Sequence, residues 1–177
     1  MSSDILYTRA PSPLGPLLLV GTADALSFIW LPSGRDRVDP EPEWIESARP
    51  FKEVVRQLDA YFAGRLRRFD LPLAPAGTAF QQRVWRALCD IPFGETVSYG
   101  ELARQIERPA AVRAVGAANG QNPISIVIPC HRVIGSDGRL VGYGGGLPAK
   151  SMLLDLERRV AGTAGRVGRP RQATLFA

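Results

Sequence analysis

The stretch SYGELARQIERPAAVRAVGAANG, residues 98–120, predicts two short helices joined by a turn. Ser98 followed by Glu101 is a capping-box pattern that begins the first helix. Pro109 suits the first position of a second helix, which Gly120 would help to cap. Two short helices with a joint of three or four residues are typical of a helix-turn-helix.

Two interpretations fit the second helix. Its small residues include Ala114, Gly116 and Ala117, and Arg113 is the one long side chain that would project from it. Such a helix could approach a DNA groove closely, with Arg113 reaching the nucleic acid. The other interpretation is that it packs against a neighbouring helix and leaves Arg113 in solvent, and these residues alone favour it because helix-turn-helix spacings often arise by chance. Both interpretations stay open at this point.

Chemistry is expected just downstream, where Ile124–Ile128 has the pattern of a buried strand that Pro129 ends before Cys130 and His131. A free thiol ionises with a pKa of about 8.5, so a nucleophilic Cys130 needs a base. His131 is the single histidine of the chain. Neighbours on a regular strand point to opposite faces, so contact between the two side chains requires a turn or a bridging water. The alternative is a structural cysteine, which is our interpretation of Cys89 on its predicted helix.

Segments further along the chain carry weaker signals. The glycine loop 142–146 lacks the spacing of a dinucleotide or phosphate loop, which argues against nucleotide binding. A final helix is predicted from about Pro148 and includes Glu157, which on its own would be a solvated charge. The tail 160–177 is basic and without periodicity, and we expect it to be disordered.

The first part of the chain predicts a small sheet and one helix. Strand-like runs are separated by Pro and Gly turns and predict a meander over residues 5–31. Residues 35–46 are predicted to form a loop. Apolar residues at helical spacing then predict a helix that begins at Phe51 and is stopped by Gly64. The segment 70–77 is predicted to be a linker, after which Thr78 and Gln81 form a second capping-box pattern. We therefore expect an α+β protein with an N-terminal domain 1–69, a C-terminal domain 78–159 and the tail.

Composition narrows the function classes. With 45% hydrophobic residues and no run long enough to cross a bilayer, the chain of 177 residues reads as a globular protein that does not span a membrane. Two cysteines and one histidine exclude a disulfide framework and a four-ligand zinc site. The net charge of +5 is weak evidence for DNA, because five of the 22 basic residues and none of the 17 acidic ones lie in 158–177. The first residues lack signal-peptide features, so we expect a cytoplasmic protein.

Several motifs together resemble one known family. IPCHRVIG at 128–135 resembles the active-site motif of the O6-alkylguanine-DNA alkyltransferases, also called methylated-DNA protein cysteine methyltransferases. FQQRVW, IPFGETVSYGELA, RAVGAANGQNP and GYGGG match in the same register, and the resemblance covers residues 78–159 almost without gaps. SPLGPL in the first part looks like that of bacterial members. The resemblance implies an N-terminal domain with a ribonuclease H-like sheet and a C-terminal helix-turn-helix that enters the DNA minor groove.

The resemblance also implies roles for single residues. Cys130 matches the methyl-accepting cysteine, and His131 and Glu157 match the residues that deprotonate it through a water. Asn122 matches the asparagine that braces the active-site turn. Tyr99 matches the tyrosine that helps to rotate the target phosphate and donates a proton toward guanine N3. The finger that replaces the flipped base matches Arg113, with Ala114, Gly116 and Ala117 beside it on the DNA-binding helix.

The substrate pocket implied by the resemblance includes Tyr143 as an aromatic wall, together with Gly144, Ser125 and Val133. Some members have proline where this chain has Ser125, and mammalian members have serine where it has Gly144. The zinc ligands of some members are absent. The resemblance thus implies a single-turnover DNA-repair enzyme without cofactor or metal.

The expected partner is double-stranded DNA that contains O6-alkylguanine, and O4-methylthymine is a further expected substrate. We expect a monomer, with cooperative binding along DNA left open. Two other function classes are a cysteine hydrolase, which would turn over catalytically, and a DNA-binding protein that uses only the helix-turn-helix. Cys130 argues against the inactive relatives of the family, in which tryptophan replaces this cysteine.

Overall fold

The computed structural model describes residues 4–34 and 38–163. Its first part is a four-stranded sheet with the strand order β3-β2-β1-β4, in which the first three strands form the predicted antiparallel meander. The strands are β1 (Leu6–Ala10), β2 (Leu17–Gly21), β3 (Leu26–Trp30) and β4 (Ile45–Glu46). The prediction of a loop over 35–46 is wrong at its end, because β4 pairs parallel to β1. The Ile45 and Ser47 amides donate to backbone carbonyls of the first strand region, which fixes this short edge.

One helix covers this sheet, as predicted. Helix α1 (Lys52–Phe62) follows a 3-10 turn at Arg49–Phe51 and buries Val54, Leu58 and Tyr61. The chain leaves the helix through Ala63 and Gly64; Gly64 has a φ of +71°, which favours glycine, and its amide donates to the Tyr61 carbonyl.

The second part contains four helices and a two-stranded parallel pairing. The helices are α2 (Ala79–Cys89), α3 (Tyr99–Gln105), α4 (Val112–Gly120) and α5 (Leu147–Thr163), and β5 (Val97–Ser98) pairs with β6 (Val133–Ile134). Both predicted capping boxes are present, at Thr78 and Gln81 and at Ser98 and Glu101.

The joint of the helix-turn-helix is longer than predicted. Helix α4 begins at Val112 and not at Pro109, so residues 106–111 separate it from α3. Glu107 has a φ of +57°, and the Arg108 amide donates to the Ala103 carbonyl, which closes off α3 with a turn. A second turn, in which the Ala111 amide donates to the Arg108 carbonyl, follows before α4 begins.

The predicted strand over 124–128 is wrong in type although right in burial. Its five residues are all buried, but they fold as a tight turn in which the Ile128 amide donates to the Ile124 carbonyl over 3.0 Å. Ile126 has a φ of +76°, which an extended strand does not allow. Ile124 forms a single bridge to Ile29 of β3, so this turn extends the sheet of the first part.

The segment predicted as a linker, 70–77, also lies against β3. The Leu26 amide donates to the Pro72 carbonyl and the Ala74 amide to the Leu26 carbonyl, while Leu71 and Leu73 are buried. Buried side chains from both parts of the chain form one continuous core. The two parts are therefore held together by shared apolar packing.

The last helix is longer than the sequence indicates. The predicted tail 160–177 is wrong for residues 160–163, which continue α5 because Val160 and Ala161 lie against Gly64 and Gly94. The rest of that tail, residues 164–177, lies outside the described residues. Among the described helices, none is long and apolar enough to cross a membrane.

Candidate active site

Cys130 begins a 3-10 turn, Cys130–Arg132, that directly follows Pro129. Its side chain is 4% exposed. Asn122 ties this turn to the preceding one, because its Nδ2 donates to the Ile128 carbonyl over 2.7 Å and its Oδ1 accepts from the Ile124 amide over 3.0 Å. The cysteine is thus held by a turn, which relaxes the restriction that a strand would place on Cys130 and His131.

The surroundings of Cys130 favour a protonated thiol at rest. Burial raises the pKa of the Cys130 thiol, while the side chain of Asn122, the positive charge of Lys150 and the side chain of Ser125 act in the opposite direction. Because burial dominates, the reactive thiolate requires a base that removes the proton.

That base is available in a buried cluster around Glu157. The Nε2 atom of His131 lies 2.8 Å from Oε1 of Glu157, and Arg132 donates from Nε to Oε2 over 2.9 Å and from Nη2 to Oε1 over 3.0 Å. His131 and Glu157 are fully buried. The prediction from its spacing alone that Glu157 is a solvated charge is therefore wrong, and the reason is that Arg132 and His131 supply the partners that a buried carboxylate needs.

The charges in this cluster set its protonation. Burial alone would raise the pKa of Glu157, but His131 and the Arg132 guanidinium outweigh it and hold that pKa well below its usual range. Burial lowers the pKa of His131 against the opposing pull of Glu157, so the imidazole is neutral at rest. The ionised carboxylate assigns the proton to Nε2.

The other imidazole nitrogen is then free to accept a proton. His131 Nδ1 is buried and has no hydrogen-bond partner in the part of the chain that the structure describes. A neutral imidazole with an unoccupied nitrogen next to a protonated cysteine can act as a general base, directly or through a bridging water.

Lys150 is a third buried charge that the sequence analysis missed. Its Nζ donates to the carbonyls of Val133 over 2.5 Å, Val141 over 2.9 Å and Gly142 over 3.4 Å. Burial lowers the pKa of Lys150 to about 8. It ties the glycine loop to the strand after Cys130 and places a positive charge near the thiol.

Arg132 and Tyr61 were missed as well. Arg132 follows the Cys130 and His131 pair in the chain, so its place beside the candidate nucleophile was a signal that could have been used. For Lys150 the signal is that it is one of only two lysines in a chain with twenty arginines. Nothing in the local sequence relates Tyr61 to Glu157, because 96 residues separate them.

A cavity of about 500 Å³ is lined by Asn122 and Ser125, whose side chains act on the Cys130 thiol, although Cys130 itself does not line it. β3, the end of α4 and the glycine loop form its walls, and Ser33 Oγ donates to the Gly145 carbonyl over 2.6 Å across the two parts of the chain. Six of the predicted site residues line this cavity: Tyr99, Gly116, Asn122, Ser125, Tyr143 and Gly144. Val133 does not line it; this residue is fully buried in β6.

The hydroxyl groups of the two tyrosines that line the cavity differ in their hydrogen bonding. Tyr143 is buried, and its hydroxyl has no hydrogen-bond partner among residues 4–34 and 38–163. Tyr99 is half-buried and donates to the Val141 carbonyl over 3.1 Å. Both hydroxyls stay protonated, since burial raises the pKa of each. The Tyr143 hydroxyl is therefore available as a neutral hydrogen-bond donor, and the Tyr99 hydroxyl becomes one when it leaves the Val141 carbonyl.

Helix α4 fits both interpretations that its sequence allows, on different faces. Val115 and Ala118 are buried, and Trp85 Nε1 donates to the Ala118 carbonyl over 2.8 Å. Arg113, Ala114 and Ala117 are exposed on the other side. The packed face fixes the helix, and the exposed face carries small residues and one arginine.

No group of three or more His, Cys, Asp or Glu side chains that could hold a metal ion occurs in the described ranges.

Two family models match the chain. The model described as 6-O-methylguanine DNA methyltransferase, ribonuclease-like domain, matches residues 5–75. The model described as 6-O-methylguanine DNA methyltransferase, DNA binding domain, matches residues 79–159.

Curated relatives and solved structures agree with these matches. The methylated-DNA–protein-cysteine methyltransferase of Methanosarcina barkeri is 54% identical over 151 residues, which cover 85% of this chain and 96% of the relative. That of Mycobacterium bovis is 49% identical over 173 residues, covering 97% and 99%. The crystal structure of Mycobacterium tuberculosis OGT in complex with DNA superposes with a TM-score of 0.82 at 50% identity, covering 88% of this chain and 94% of that one. This likeness confirms the predicted α+β fold with a sheet in the first part and helices in the second.

Proposed function

The chain belongs to the 6-O-methylguanine DNA methyltransferase family, and on that premise we propose that it repairs DNA by moving the alkyl group of O6-alkylguanine onto its own Cys130. The observation that carries the proposal is the buried series from Glu157 through His131 to the turn that holds Cys130, next to a cavity. Glu157 orients the imidazole and stabilises its positive charge, and His131 accepts the thiol proton at Nδ1.

The transfer balances without a cofactor. The Cys130 sulfur attacks the methyl carbon, a carbon–sulfur bond forms, and the bond between that carbon and guanine O6 breaks with its electron pair left on the base. The proton that His131 takes from the thiol is the one that the restored guanine needs at N1. Tyr143 would stabilise the charge that develops on the leaving base as a neutral hydroxyl donor, and Tyr99 would do so after exchanging its bond to the Val141 carbonyl for one to the base.

The base must leave the duplex to reach this cavity. A methyl group on O6 is hidden in the base stack, so the nucleotide has to be extruded, and the poor pairing of an alkylated base lowers that cost. The exposed small residues of α4 would let this helix approach the minor groove, and Arg113 would fill the space that the base leaves. The DNA complex of the M. tuberculosis relative supports DNA as the partner. O4-methylthymine is a second base that the same reaction would repair.

The proposal predicts that each molecule acts once. The product is a thioether, and an uncharged thioether does not give up its alkyl carbon to a nucleophile because the thiolate is a poor leaving group from it. The alkyl group therefore stays on Cys130 and the protein is consumed.

Peptide mass mapping tests the site of transfer. After incubation with a duplex that carries one O6-methylguanine, the peptide with Cys130 is expected to gain the mass of one methyl group in place of a hydrogen. Cys89 serves as the internal control, because burial raises the pKa of its thiol to about 12. Transfer in a Cys89→Ala variant and none in Cys130→Ala is expected; methylation elsewhere, or repair by Cys130→Ala, would overturn the proposal.

A further inference from the structure

A tyrosine from the first part of the chain reaches into the buried cluster of the second. Tyr61 lies on α1, and its hydroxyl donates to Oε1 of Glu157 over 2.7 Å. Both side chains are fully buried. The contact joins residues that are 96 positions apart in the chain, one from each part, so it exists only when the two parts are packed together.

The hydroxyl meets the oxygen that faces the imidazole. Oε1 of Glu157 has three neighbours, the hydroxyl of Tyr61, Nε2 of His131 and Nη2 of Arg132. Oε2 accepts from Nε of Arg132 and from the Gly94 amide over 3.0 Å. A carboxylate has about four acceptor sites, so five donors leave it little freedom to rotate or move.

The tyrosine ring is itself held in place. Phe62 and Phe93 pack edge-on against it, with ring centroids 5.4 and 6.1 Å away, and Phe69 packs at a tilt with its centroid 5.3 Å away. A ring fixed on three sides aims its hydroxyl in one direction. The hydrogen bond to Glu157 is therefore preformed and does not depend on DNA.

We propose that Tyr61 is a positioning residue for the reaction of Cys130: its hydroxyl holds Glu157 in line with His131 and draws negative charge from Oε1. Less charge on that oxygen means that the carboxylate stabilises the imidazolium less strongly. His131 then stays neutral at physiological pH and able to accept the thiol proton. The inference rests on the proposed function only for its link to methyl transfer; the effect on His131 stands by itself.

Three charged groups act on His131 besides the hydroxyl. Glu157 favours its protonated form, and Arg132 and Lys150 disfavour it, as does burial. Tyr61 acts through Glu157 and works in the same direction as the two cations. Removing its hydroxyl should therefore raise the pKa of His131.

The single histidine of the chain makes this measurable without assignment. The full-length protein and its Tyr61→Phe variant, both labelled with ¹³C-histidine, are titrated by NMR. The pKa of His131 is expected to be about half a unit higher in the variant, which is the size expected for one hydrogen bond that acts on His131 through Glu157. Since only neutral His131 can act as base, the acidic limb of the methyl-transfer rate should move to higher pH by the same amount. An unchanged or lowered pKa of His131 would overturn the inference.

A packing control separates positioning from stability. Phe69→Leu loosens the packing of the same aromatic rings but leaves the Tyr61 hydroxyl, so it should lower the melting temperature and leave the pKa of His131 unchanged. A rise of the His131 pKa in Phe69→Leu as large as that in Tyr61→Phe would overturn the inference. If Tyr61→Phe does not fold, 3-fluorotyrosine is introduced at position 61, because its hydroxyl is a stronger hydrogen-bond donor and should lower the pKa of His131. An unchanged pKa of His131 in that protein would overturn the inference. A parent protein that titrates as expected but transfers no methyl group would reject the proposed function alone.

Discussion

At the scale of single residues, the site combines a thiol that prefers to be protonated with an imidazole that prefers to be neutral. Burial sets both preferences, for Cys130 and for His131. The proposed proton transfer between them would create a thiolate, on which the charge of Lys150 acts, and an imidazolium, which Glu157 contacts. The site would then stabilise the reactive pair through charges that are present before substrate binds.

Arg113 is the residue whose proposed role depends on duplex DNA. Arg113→Ala should slow repair of O6-methylguanine in a duplex about tenfold or more, because the space left by the extruded base is no longer filled and unstacking costs a few kcal/mol. Reaction with the free modified base should be unchanged. Arg108→Ala, which removes another exposed arginine of the same helix-turn-helix, is the control for charge alone. Equal losses with duplex and free base would reject the role of Arg113.

At the scale of elements, the last turns of α5, the helix that carries Glu157, contact the turn that precedes β5. Gly94 has a φ of +80°, its amide donates to Glu157, and a Cβ there would come within 2.6 Å of the Ala161 methyl group. The end of α5 and this turn therefore fix each other and the carboxylate between them.

Gly94→Ala tests this contact. It should destabilise the protein by clearly more than about 1 kcal/mol, because a left-handed conformation and a clash act together. Gly138→Ala is the matched control, since Gly138 has a φ of +82° with no atom of the described chain within 4 Å of the added carbon. Urea unfolding would compare the two. If both variants lost the same stability, the contact with α5 would contribute nothing.

The helices and strands also show how much of the fold could be predicted from the sequence. Capping boxes gave α2 and α3 their start because the signal is local, and alternating apolar runs gave the meander. The segment 124–128 was misjudged because its apolar residues indicate burial, whereas its shape is decided by Asn122 and by pairing with β3. The end of α5 likewise depends on contacts with the distant residues Gly64 and Gly94, whereas the start of α4 follows from the local turn at Glu107.

At the scale of the whole molecule, the buried charges make stability depend on pH. The pKa of Glu157 is lowered in the folded state, so its contribution is present above the unfolded value of about 4.3 and is lost as the pH falls. The pKa of His131 is also lowered, so the unfolded chain binds more protons below its value of about 6.5. Both groups make the protein less stable in acid.

Glu157→Gln should unfold more easily at pH 7 by about 3–5 kcal/mol, because Arg132 remains buried without its charge partner. The variant should also lose less stability than the parent between pH 5 and 3, because it lacks the carboxyl group that takes up a proton on unfolding in this range. Denaturant titrations at several pH values measure this difference in the free energy of unfolding. Glu53→Gln is the surface control, since Arg56 lowers the pKa of Glu53 to about 2 but both side chains are largely exposed. A Glu157→Gln protein as stable as Glu53→Gln would contradict this view of the cluster.

Whole-chain packing also explains why the site could be only partly foreseen. The residues around Cys130 follow from the family motif, and six of them line one cavity. Tyr61 and β3 come from the other part of the chain, and only the shared core brings them to Glu157 and to the cavity wall. Contacts of this kind leave no local pattern in a sequence.

The central claim is that Cys130 accepts one alkyl group and is consumed. The most direct measurement is a titration of the protein with an excess of duplex containing O6-methylguanine, in which restored guanine and intact protein mass are followed together. We expect that one guanine is restored per protein molecule, that every molecule gains one methyl group, and that a second addition of substrate is not repaired. Continued repair beyond one equivalent, or restored guanine without a gain in protein mass, would contradict it.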